Sequence, residues 1–408
     1  MTKRFSLCCF LILLFAACGS SASNEEILPT LETGEKLVVA WVQDGDLLLW
    51  RSGDGVQRLA TGGVSEVFIA PNGKHLAYTH GENMPETLWI INDDGSGKWQ
   101  VVSANMIRQV IWLNDEVLYF NTFERFEPAE LVIRPADDLH SLDITTREMI
   151  SYEAGGDFSI SPEGDYIAVV TAGAYGESAG NIRAFALSED TAPLDLLGFP
   201  AIATGSHYAF YPSIQWGDAT TLLVAIPDAD AIYNQYTADK APTSLWRFDL
   251  SSGVGEQIGT SHNNFFGMPN WSNDGERMVY LRNNYDDVTS PPDLYLADGD
   301  GTNATVYADD INSVPIWIDG ESDFLFMSDG AQWISEPGEP PYRWLDFVDK
   351  VPLNPVIVGQ FVVFVVVGTD GTGLYYSVLG ADEVMANLIA ETGVDYPRFD
   401  AAWIDSGD

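Results

Sequence analysis

An internal repeat that returns about every 45 residues is the feature that most constrains the fold of this chain. Its clearest copies are Phe68-Ile-Ala-Pro-Asn-Gly73, Phe158-Ser-Ile-Ser-Pro-Glu-Gly164 and Pro269-Asn-Trp-Ser-Asn-Asp-Gly275. Each copy joins two extended segments through a tight turn that contains Gly. From Leu37 onward, no segment shows a sustained helical period. The repeat therefore predicts an all-β chain in which a strand meander recurs along the sequence.

A third strand and an acidic turn complete the unit. They are clearest in Leu88-Trp-Ile-Ile-Asn-Asp-Asp-Gly95 and Leu294-Tyr-Leu-Ala-Asp-Gly-Asp-Gly301, and a fourth strand follows each of them. This pattern resembles the TolB-type β-propeller repeat, whose consensus runs Trp-Ser-Pro-Asp-Gly, then Ile-Ala-Phe, then Leu-Tyr-x-x-Asp. The resemblance covers residues 37–405 and implies four-stranded blades around a central channel. The family's N-terminal domain is absent here, so its specific partners are not carried over.

The number of innermost strands predicts the number of blades. We expect eight, and seven if the weak unit at 314–347 is irregular. The last innermost strand has no strand after it, whereas the segment 37–59 has three strands and no innermost one, so the two are expected to pair and close the ring. The innermost strands are predicted at residues 64–70, 107–113, 157–161, 211–216, 268–272, 314–318, 354–358 and 399–404.

The N-terminus reads as a bacterial lipoprotein signal. Lys3 and Arg4 precede an apolar run that ends in Ala16-Ala17-Cys18-Gly19. Residues 1–17 are predicted to be the signal peptide, with Cys18 carrying the lipid, and ordinary secretion is the alternative. Residues 18–36 are predicted to be a flexible acidic tether, and residues 37–408 a single propeller domain. We therefore expect a lipid-anchored protein on the extracytoplasmic side of a bacterial membrane, with no other contact to the bilayer.

Charge and cysteine content further limit the kinds of protein that this chain can be. Asp and Glu number 60 against 19 Lys and Arg, which gives a formal net charge of −41. Such a surface repels nucleic acids, so a nucleic-acid-binding protein is excluded. The charge serves solubility in salt or attracts cationic partners. Cys8 and Cys9 lie in the signal, so cleavage before Cys18 leaves one Cys and no internal disulfide.

Long insertions point to one end of the predicted propeller as the binding face. They cover residues 121–140, 172–181, 227–244 and 282–292, between second and third strands, whereas the turns of the opposite end are short. Their exposed aromatics beside carboxylates suit a peptide, a cationic group or a sugar, unless the rings serve only to hold their own loops. The insertions also contain Phe123. The predicted ligand-binding residues are Arg125, Phe126, Tyr175, Tyr233, Tyr236, Tyr285, Asp286, Asp287, His207 and His262.

Three sequence features could indicate catalysis or metal binding, and a structural role is favoured for each. Gly176-Glu-Ser-Ala-Gly180 matches the G-x-S-x-G pentapeptide of hydrolases, but an apolar strand follows it where a nucleophile elbow needs a helix. His80, His140, His207 and His262 are placed toward the long-loop face, the last two at the start of innermost strands, without the spacing of a metal site. The acidic turns lack the further ligands of a calcium loop. We expect no catalytic residue, no metal and no cofactor.

The sequence thus favours a non-enzymatic, monomeric scaffold that binds an envelope or extracellular protein, peptide or glycan through its long-loop face. The alternative is a propeller enzyme, a polysaccharide lyase or a glycan- or peptide-acting enzyme, with His207, His262 and loop carboxylates at the channel mouth. A passive surface protein is a third possibility.

Overall fold

The computed structural model describes most of the chain from residue 36 onward. No helix in this part of the chain is long and apolar enough to span a membrane. The described ranges are 36–81, 85–123, 138–152, 155–173, 178–187, 192–202, 212–229, 242–264, 267–283, 291–311, 313–318, 322–336, 339–347, 349–381, 384–393 and 396–404.

The strands form eight antiparallel four-stranded sheets, which are the blades of a β-propeller. In blades 1–7 the strands follow one another from the innermost outward. Blade 1 comprises β4 (Val64–Ile69), β5 (His75–His80), β6 (Glu86–Asn92) and β7 (Trp99–Ala104). Blade 2 comprises β8 (Met106–Trp112), β9 (Val117–Phe123), β10 (Asp138–Asp143) and β11 (Met149–Tyr152). Blade 3 comprises β12 (Asp157–Ile160), β13 (Tyr166–Thr171), β14 (Gly180–Ala186) and β15 (Leu194–Phe199). Blade 4 comprises β16 (Ser213–Trp216), β17 (Thr221–Ile226), β18 (Thr243–Asp249) and β19 (Val254–Ser261).

The second half of the ring repeats this order. Blade 5 comprises β20 (Asn270–Trp271), β21 (Arg277–Arg282), β22 (Asp293–Asp298) and β23 (Thr305–Ala308). Blade 6 comprises β24 (Ile316–Trp317), β25 (Phe324–Ser328), β26 (Ala331–Glu336) and β27 (Glu339–Asp346). Blade 7 comprises β28 (Lys350–Val358), β29 (Phe361–Gly368), β30 (Gly371–Val378) and β31 (Asn387–Gly393). Blade 8 comprises β32 (Arg398–Ile404), β1 (Lys36–Gln43), β2 (Asp46–Arg51) and β3 (Gly55–Ala60).

Blade 8 closes the ring with strands from both ends of the described chain. Its innermost strand is β32, which pairs antiparallel with β1 in a register that places Lys36 opposite Ile404 and Trp41 opposite Phe399. This pairing covers the edges that β32 and β1 would otherwise leave open. The predicted eight blades, the eight predicted innermost strands and the predicted closure are confirmed.

The repeat motif forms the turn between the first and second strands of a blade. The N–H groups of Gly73, Gly164 and Gly275 each donate to the carbonyl three residues earlier, at 2.8, 2.9 and 2.8 Å. All three glycines have a positive φ, between 65° and 75°. An L side chain rarely adopts this conformation, and a Cβ at Gly73 would also lie 2.9 Å from the Ile404 Cδ1 atom. The recurring Gly is therefore required by the turn.

The second strand of each blade is its most buried strand. In β29, the residues from Phe361 to Val366 are all buried, and β5, β13 and β21 each contain a run of four buried residues. Each face of such a strand packs against a neighbouring blade, so the strand is a continuous apolar run and does not alternate. The hydrophobic clusters accordingly lie between blades, as where Val38 and Leu47 of blade 8 pack with Val64 and Leu76 of blade 1.

A β-bulge recurs between the third and fourth strands of most blades. In each of seven blades, one register shift gives the fourth strand an extra residue that packs into a cluster between blades. The extra residues are Leu59, Val101, Leu196, Ile258, Tyr307, Trp344 and Ile389. The bulge thus turns one apolar side chain of an otherwise exposed edge strand inward.

Side-chain amides on innermost strands join neighbouring blades around the channel. The Gln109 amide donates to the Phe158 carbonyl at 2.8 Å and accepts from the Phe158 N–H at 3.1 Å. Gln215 makes the same pair of hydrogen bonds with Trp271. The Trp112 indole N–H reaches back to the Phe68 carbonyl at 3.2 Å. These contacts satisfy backbone groups that face a gap between sheets, where no ladder partner exists.

Candidate functional site

The central channel has two ends that differ in their connections. We call the end where innermost strands begin the loop end, and the end where they finish the turn end. The long connections of blades 2–5 begin at the loop end. In blade 2, for example, the last residue of β9, Phe123, pairs with Met106, the first residue of the innermost strand. The Gly-containing turns lie at the turn end. The strand order therefore puts the long connections at one end of the channel and the tight turns at the other end, as predicted.

Most of the predicted site residues lie outside the described part of the chain. These are Cys18, Arg125, Phe126, Tyr175, His207, Tyr233, Tyr236, Tyr285, Asp286 and Asp287. Their proposed roles stay predictions.

The long connection of blade 2 is shorter than the sequence predicts. Phe123, placed in the loop by sequence, ends β9 and is 5% exposed. His140 lies in β10, where its ring accepts or donates hydrogen bonds to Thr122 Oγ1 at 2.9 Å and Ser151 Oγ at 2.8 Å, and stacks on Phe120. Phe123 and His140 are therefore part of the blade and not of its loop, because β9 and β10 extend further into this polar segment than its composition suggests.

His262 is half-buried directly after β19, the outermost strand of blade 4. The sequence predicts that it begins an innermost strand, but that strand, β20, begins only at Asn270. His262 is thus at the loop end and away from the channel strands. Among the described residues, no group of three or more His, Cys, Asp or Glu side chains is arranged to hold a metal ion.

Ser178 has the surroundings of a strand connection. It is exposed, and two residues later β14 begins at Gly180. A nucleophile elbow would need a helix at this point to present N–H groups to an oxyanion. The strand that the sequence predicts after the pentapeptide is confirmed.

The acidic turns between third and fourth strands stabilise themselves. The Asp300 carboxylate accepts the Thr302 hydroxyl at 2.6 Å and the Thr302 N–H at 2.9 Å, and these bonds lower its pKa. The Asp94 carboxylate accepts the Ser96 N–H at 2.8 Å. These are the bonds by which Asp stabilises a tight turn.

A cavity of about 540 Å³ lies in the loop-end half of the channel, between blades 6, 7, 8 and 1. Its lining combines apolar side chains with a few polar ones. The lining residues are Glu66, Val67, Phe68, Ser313, Val314, Ile316, Met327, Leu353, Asn354, Pro355, Val356, Pro397, Arg398 and Phe399. We call this the loop-end cavity.

A bulge and a charge pair shape the loop-end cavity. In β28 the register shifts between Leu353 and Val356, and Asn354 has a φ of 48°. Such bulges re-aim side chains beside functional sites. Burial raises the pKa of Glu66, the charge of Arg398 lowers it, and Glu86 raises it further. The cavity therefore holds an acidic and a basic group among apolar walls.

A second pair lies across the channel strands of blades 2 and 3. Arg108 Nη2 and Asp157 Oδ2 are 2.8 Å apart. Burial raises the pKa of Asp157, and the Arg108 charge opposes this shift. The charge of Arg108 thus offsets part of the effect of burial, which favours the neutral acid at this position.

A second cavity, of about 610 Å³, occupies the turn-end half and shares Val67, Phe68 and Phe399 with the first. We call it the turn-end cavity. Its lining is apolar and aromatic except for Asp400. The lining residues are Val67, Phe68, Ile69, Pro71, Val110, Ile111, Trp112, Ile357, Val358, Gly359, Phe399, Asp400, Ala401, Ala402 and Trp403.

Asp400 connects the closing strand to blade 1. Its Oδ2 atom accepts the Ile69 N–H at 2.7 Å, and its Oδ1 atom accepts the Ala401 N–H at 2.9 Å. Burial raises the pKa of this carboxyl to about 6, against the opposing effect of both hydrogen bonds. The surface that Asp400 keeps accessible opens into the turn-end cavity.

Glu66, Arg398 and Asp400 all lie on innermost strands and were not predicted as site residues from the sequence. A signal was present in Phe399-Asp-Ala-Ala-Trp403, where one acidic residue interrupts an apolar strand. Buried strands seldom contain an unpaired carboxylate, so this interruption marks a position that faces the channel.

No known protein family matches the chain, and no curated protein matches its sequence. Solved structures do resemble it. One is a eukaryotic initiation factor, with a TM-score of 0.51 and 11% identity over 90% of this chain and 98% of that one. Another is a prolyl endopeptidase, with a TM-score of 0.51 and 10% identity over 83% of this chain and 50% of that one.

TolB from Acinetobacter baumannii is also among the similar structures, with a TM-score of 0.38 and 13% identity over 90% of this chain and 82% of that one. Identities this low show the fold alone. The chain is an eight-bladed β-propeller with TolB among its structural neighbours.

Proposed function

We propose that this protein is a lipid-anchored extracytoplasmic scaffold that binds an envelope or extracellular protein, peptide or glycan at the loop end of its propeller. The observation that carries the proposal is the loop-end cavity, in which Glu66 and Arg398 lie among apolar walls at the end from which the long connections leave. Ligand sites combine an apolar lining with a few placed polar groups in this way.

The rim of the loop-end cavity supports a binding role. Val314, Val351 and Tyr396 precede or begin the innermost strands of blades 6, 7 and 8, and they are 51%, 43% and 42% exposed. Arg398 is exposed beside them. Tyr and Arg are the residue types that most often carry binding energy at interfaces, particularly when apolar neighbours exclude water from them.

The closed ring supports the same role by holding the rim in place. Four separate blades contribute to the cavity, and the β32–β1 pairing holds together blade 8, which completes the ring between blades 7 and 1. A preorganised surface loses little entropy when a partner binds. The proposed anchoring at Cys18 is supported by the signal-like sequence before it, and it would put this surface outside the cytoplasm.

The proposal is tested by comparing two matched tyrosine variants. Purified residues 24–408 are applied to arrays of peptides and glycans, as the wild type and as Tyr396→Ala combined with Arg398→Ala. The control is Tyr342→Ala, because Tyr342 is 46% exposed on the outermost strand of blade 6, away from the cavity. We expect the double variant to lose at least tenfold in affinity for the captured ligand, and the control to retain it.

Equal loss in both variants, or none in either, would overturn the loop-end site. Release of cleaved fragments from the arrayed peptides or glycans would support a propeller enzyme instead.

A further inference from the structure

The turn-end cavity, at the opposite end of the channel, has the composition of a small-molecule site. Its volume of about 610 Å³ falls within the usual range of ligand pockets. The aromatic residues Phe68, Trp112, Phe399 and Trp403 are part of its walls. Asp400 is the only ionisable side chain among its described lining residues.

The charge of Asp400 is not compensated within the described part of the chain. Its carboxylate accepts two backbone N–H groups, which uses two of roughly four lone-pair positions. No Lys, Arg or His of the described residues forms an ion pair with it. The cationic side chains on surrounding strands interact with other carboxylates. The charge of Arg398 lowers the pKa of Glu66. The ion pairs are Arg108–Asp157 at 2.8 Å, Lys350–Asp370 at 3.2 Å and Lys36–Asp54 at 3.8 Å.

An uncompensated carboxylate in an apolar cavity destabilises the fold unless a positive charge joins it. The aromatic walls supply a second attraction for such a charge, because a cation over the face of an aromatic ring is stabilised by its quadrupole. The net charge of −41 raises the concentration of cations around the whole molecule.

We propose that the turn-end cavity binds a small organic cation, an amine or quaternary ammonium ion with a compact apolar body, with its charge against Asp400 and its body against the aromatic walls. A metal ion fits this site poorly, since hard cations take six or more oxygen ligands and the lining offers one carboxylate.

Choline and its neutral isostere 3,3-dimethylbutan-1-ol are the probes for the first test. They have the same shape and differ in charge, so isothermal titration calorimetry on residues 24–408 separates the charge from the apolar contact. We expect choline to bind at least tenfold more tightly than the alcohol at pH 8. Equal affinities, or no choline binding at millimolar concentration, would overturn the proposal.

A variant pair locates the binding. Asp400→Asn should weaken choline binding at least tenfold and leave the alcohol unaffected. Asp157→Asn is the matched control, because it removes another carboxylate of an innermost strand, one that already has Arg108 as its partner. Equal effects of both substitutions would point to general attraction by the charged surface and would overturn the assignment to Asp400.

The wild type alone gives a check that does not depend on the variant folding. Only the ionised carboxylate attracts the cation, so lowering the pH from 8 to 5 should weaken choline binding about tenfold for a pKa of about 6. Choline binding that is constant over this range would contradict the role of Asp400.

Discussion

Replacing Asp400 with Asn should change how the stability of the propeller depends on pH. Burial raises the pKa of Asp400 from an ordinary 3.8 to about 6 in the folded chain. A carboxyl group with a raised pKa stabilises the fold in its protonated form, so its contribution is complete below the unfolded pKa and is lost as the pH rises through about 6. With these two values, the contribution is about 1.4 kcal/mol at pH 5 and near zero at pH 8.

Urea unfolding of both proteins at pH 5 and pH 8 measures this effect. The free energy of unfolding of the wild type minus that of the variant should rise by about 1.4 kcal/mol between pH 8 and pH 5. Taking the difference removes the general effect of the net charge, which is common to both proteins.

Asp249→Asn is a control for which the same difference should stay constant. Hydrogen bonds from the Ser251 and Ser252 hydroxyls lower the pKa of Asp249 below its ordinary value of 3.8, so its contribution to stability is lost only at pH values below those of the assay. A difference for Asp400→Asn that is independent of pH, or that falls toward pH 5, would refute the reasoning.

Three further expectations concern packing, anchoring and the loops. Gln109→Leu removes both hydrogen bonds of the Gln109 amide to blade 3 and should lower the free energy of unfolding in urea by about 2 kcal/mol, whereas Gln57→Leu, at an exposed position, should change it by less than about 0.5 kcal/mol. Cys18→Ser should abolish incorporation of labelled palmitate and move the protein from the membrane to the soluble fraction; unchanged fractionation would contradict the lipid anchor. Ala at both Tyr233 and Tyr236 should weaken ligand binding with almost no change in the thermal unfolding midpoint, and a large loss of stability would mean that these rings pack within the fold.

The blade architecture could be predicted from sequence because turn chemistry repeats with it. Gly73, Gly164 and Gly275 occupy a turn that needs a positive φ, so the same residues recur wherever that turn recurs. Pairing of β32 with β1 followed from incomplete strand sets at the two ends. Local rules suffice for the turns, because each turn is decided within a few residues, and a count of the strands at the two ends then predicts the closure.

The residues that line the channel cavities could not be predicted in the same way, because they come from distant parts of the sequence. Asp400 contacts Ile69, which lies 331 positions earlier, and neither residue carries a local sign of the other. The ends of the strands at Phe123 and His140 were also misplaced, since the polar residues of β9 and β10 find partners across the sheet that composition does not reveal.

The pairing of β1 with β32 also determines at which end of the channel the described chain begins. Lys36 begins β1 opposite Ile404, the last residue of the innermost strand, so the described chain starts at the turn end of the channel. A lipid on Cys18 would lie 18 residues before this point, a tether of at most about 60 Å when fully extended. Under the proposed lipid anchor, the tether would join the propeller at its turn end, so that the loop end, with the exposed Tyr396, lies at the far end of the domain from the attachment point.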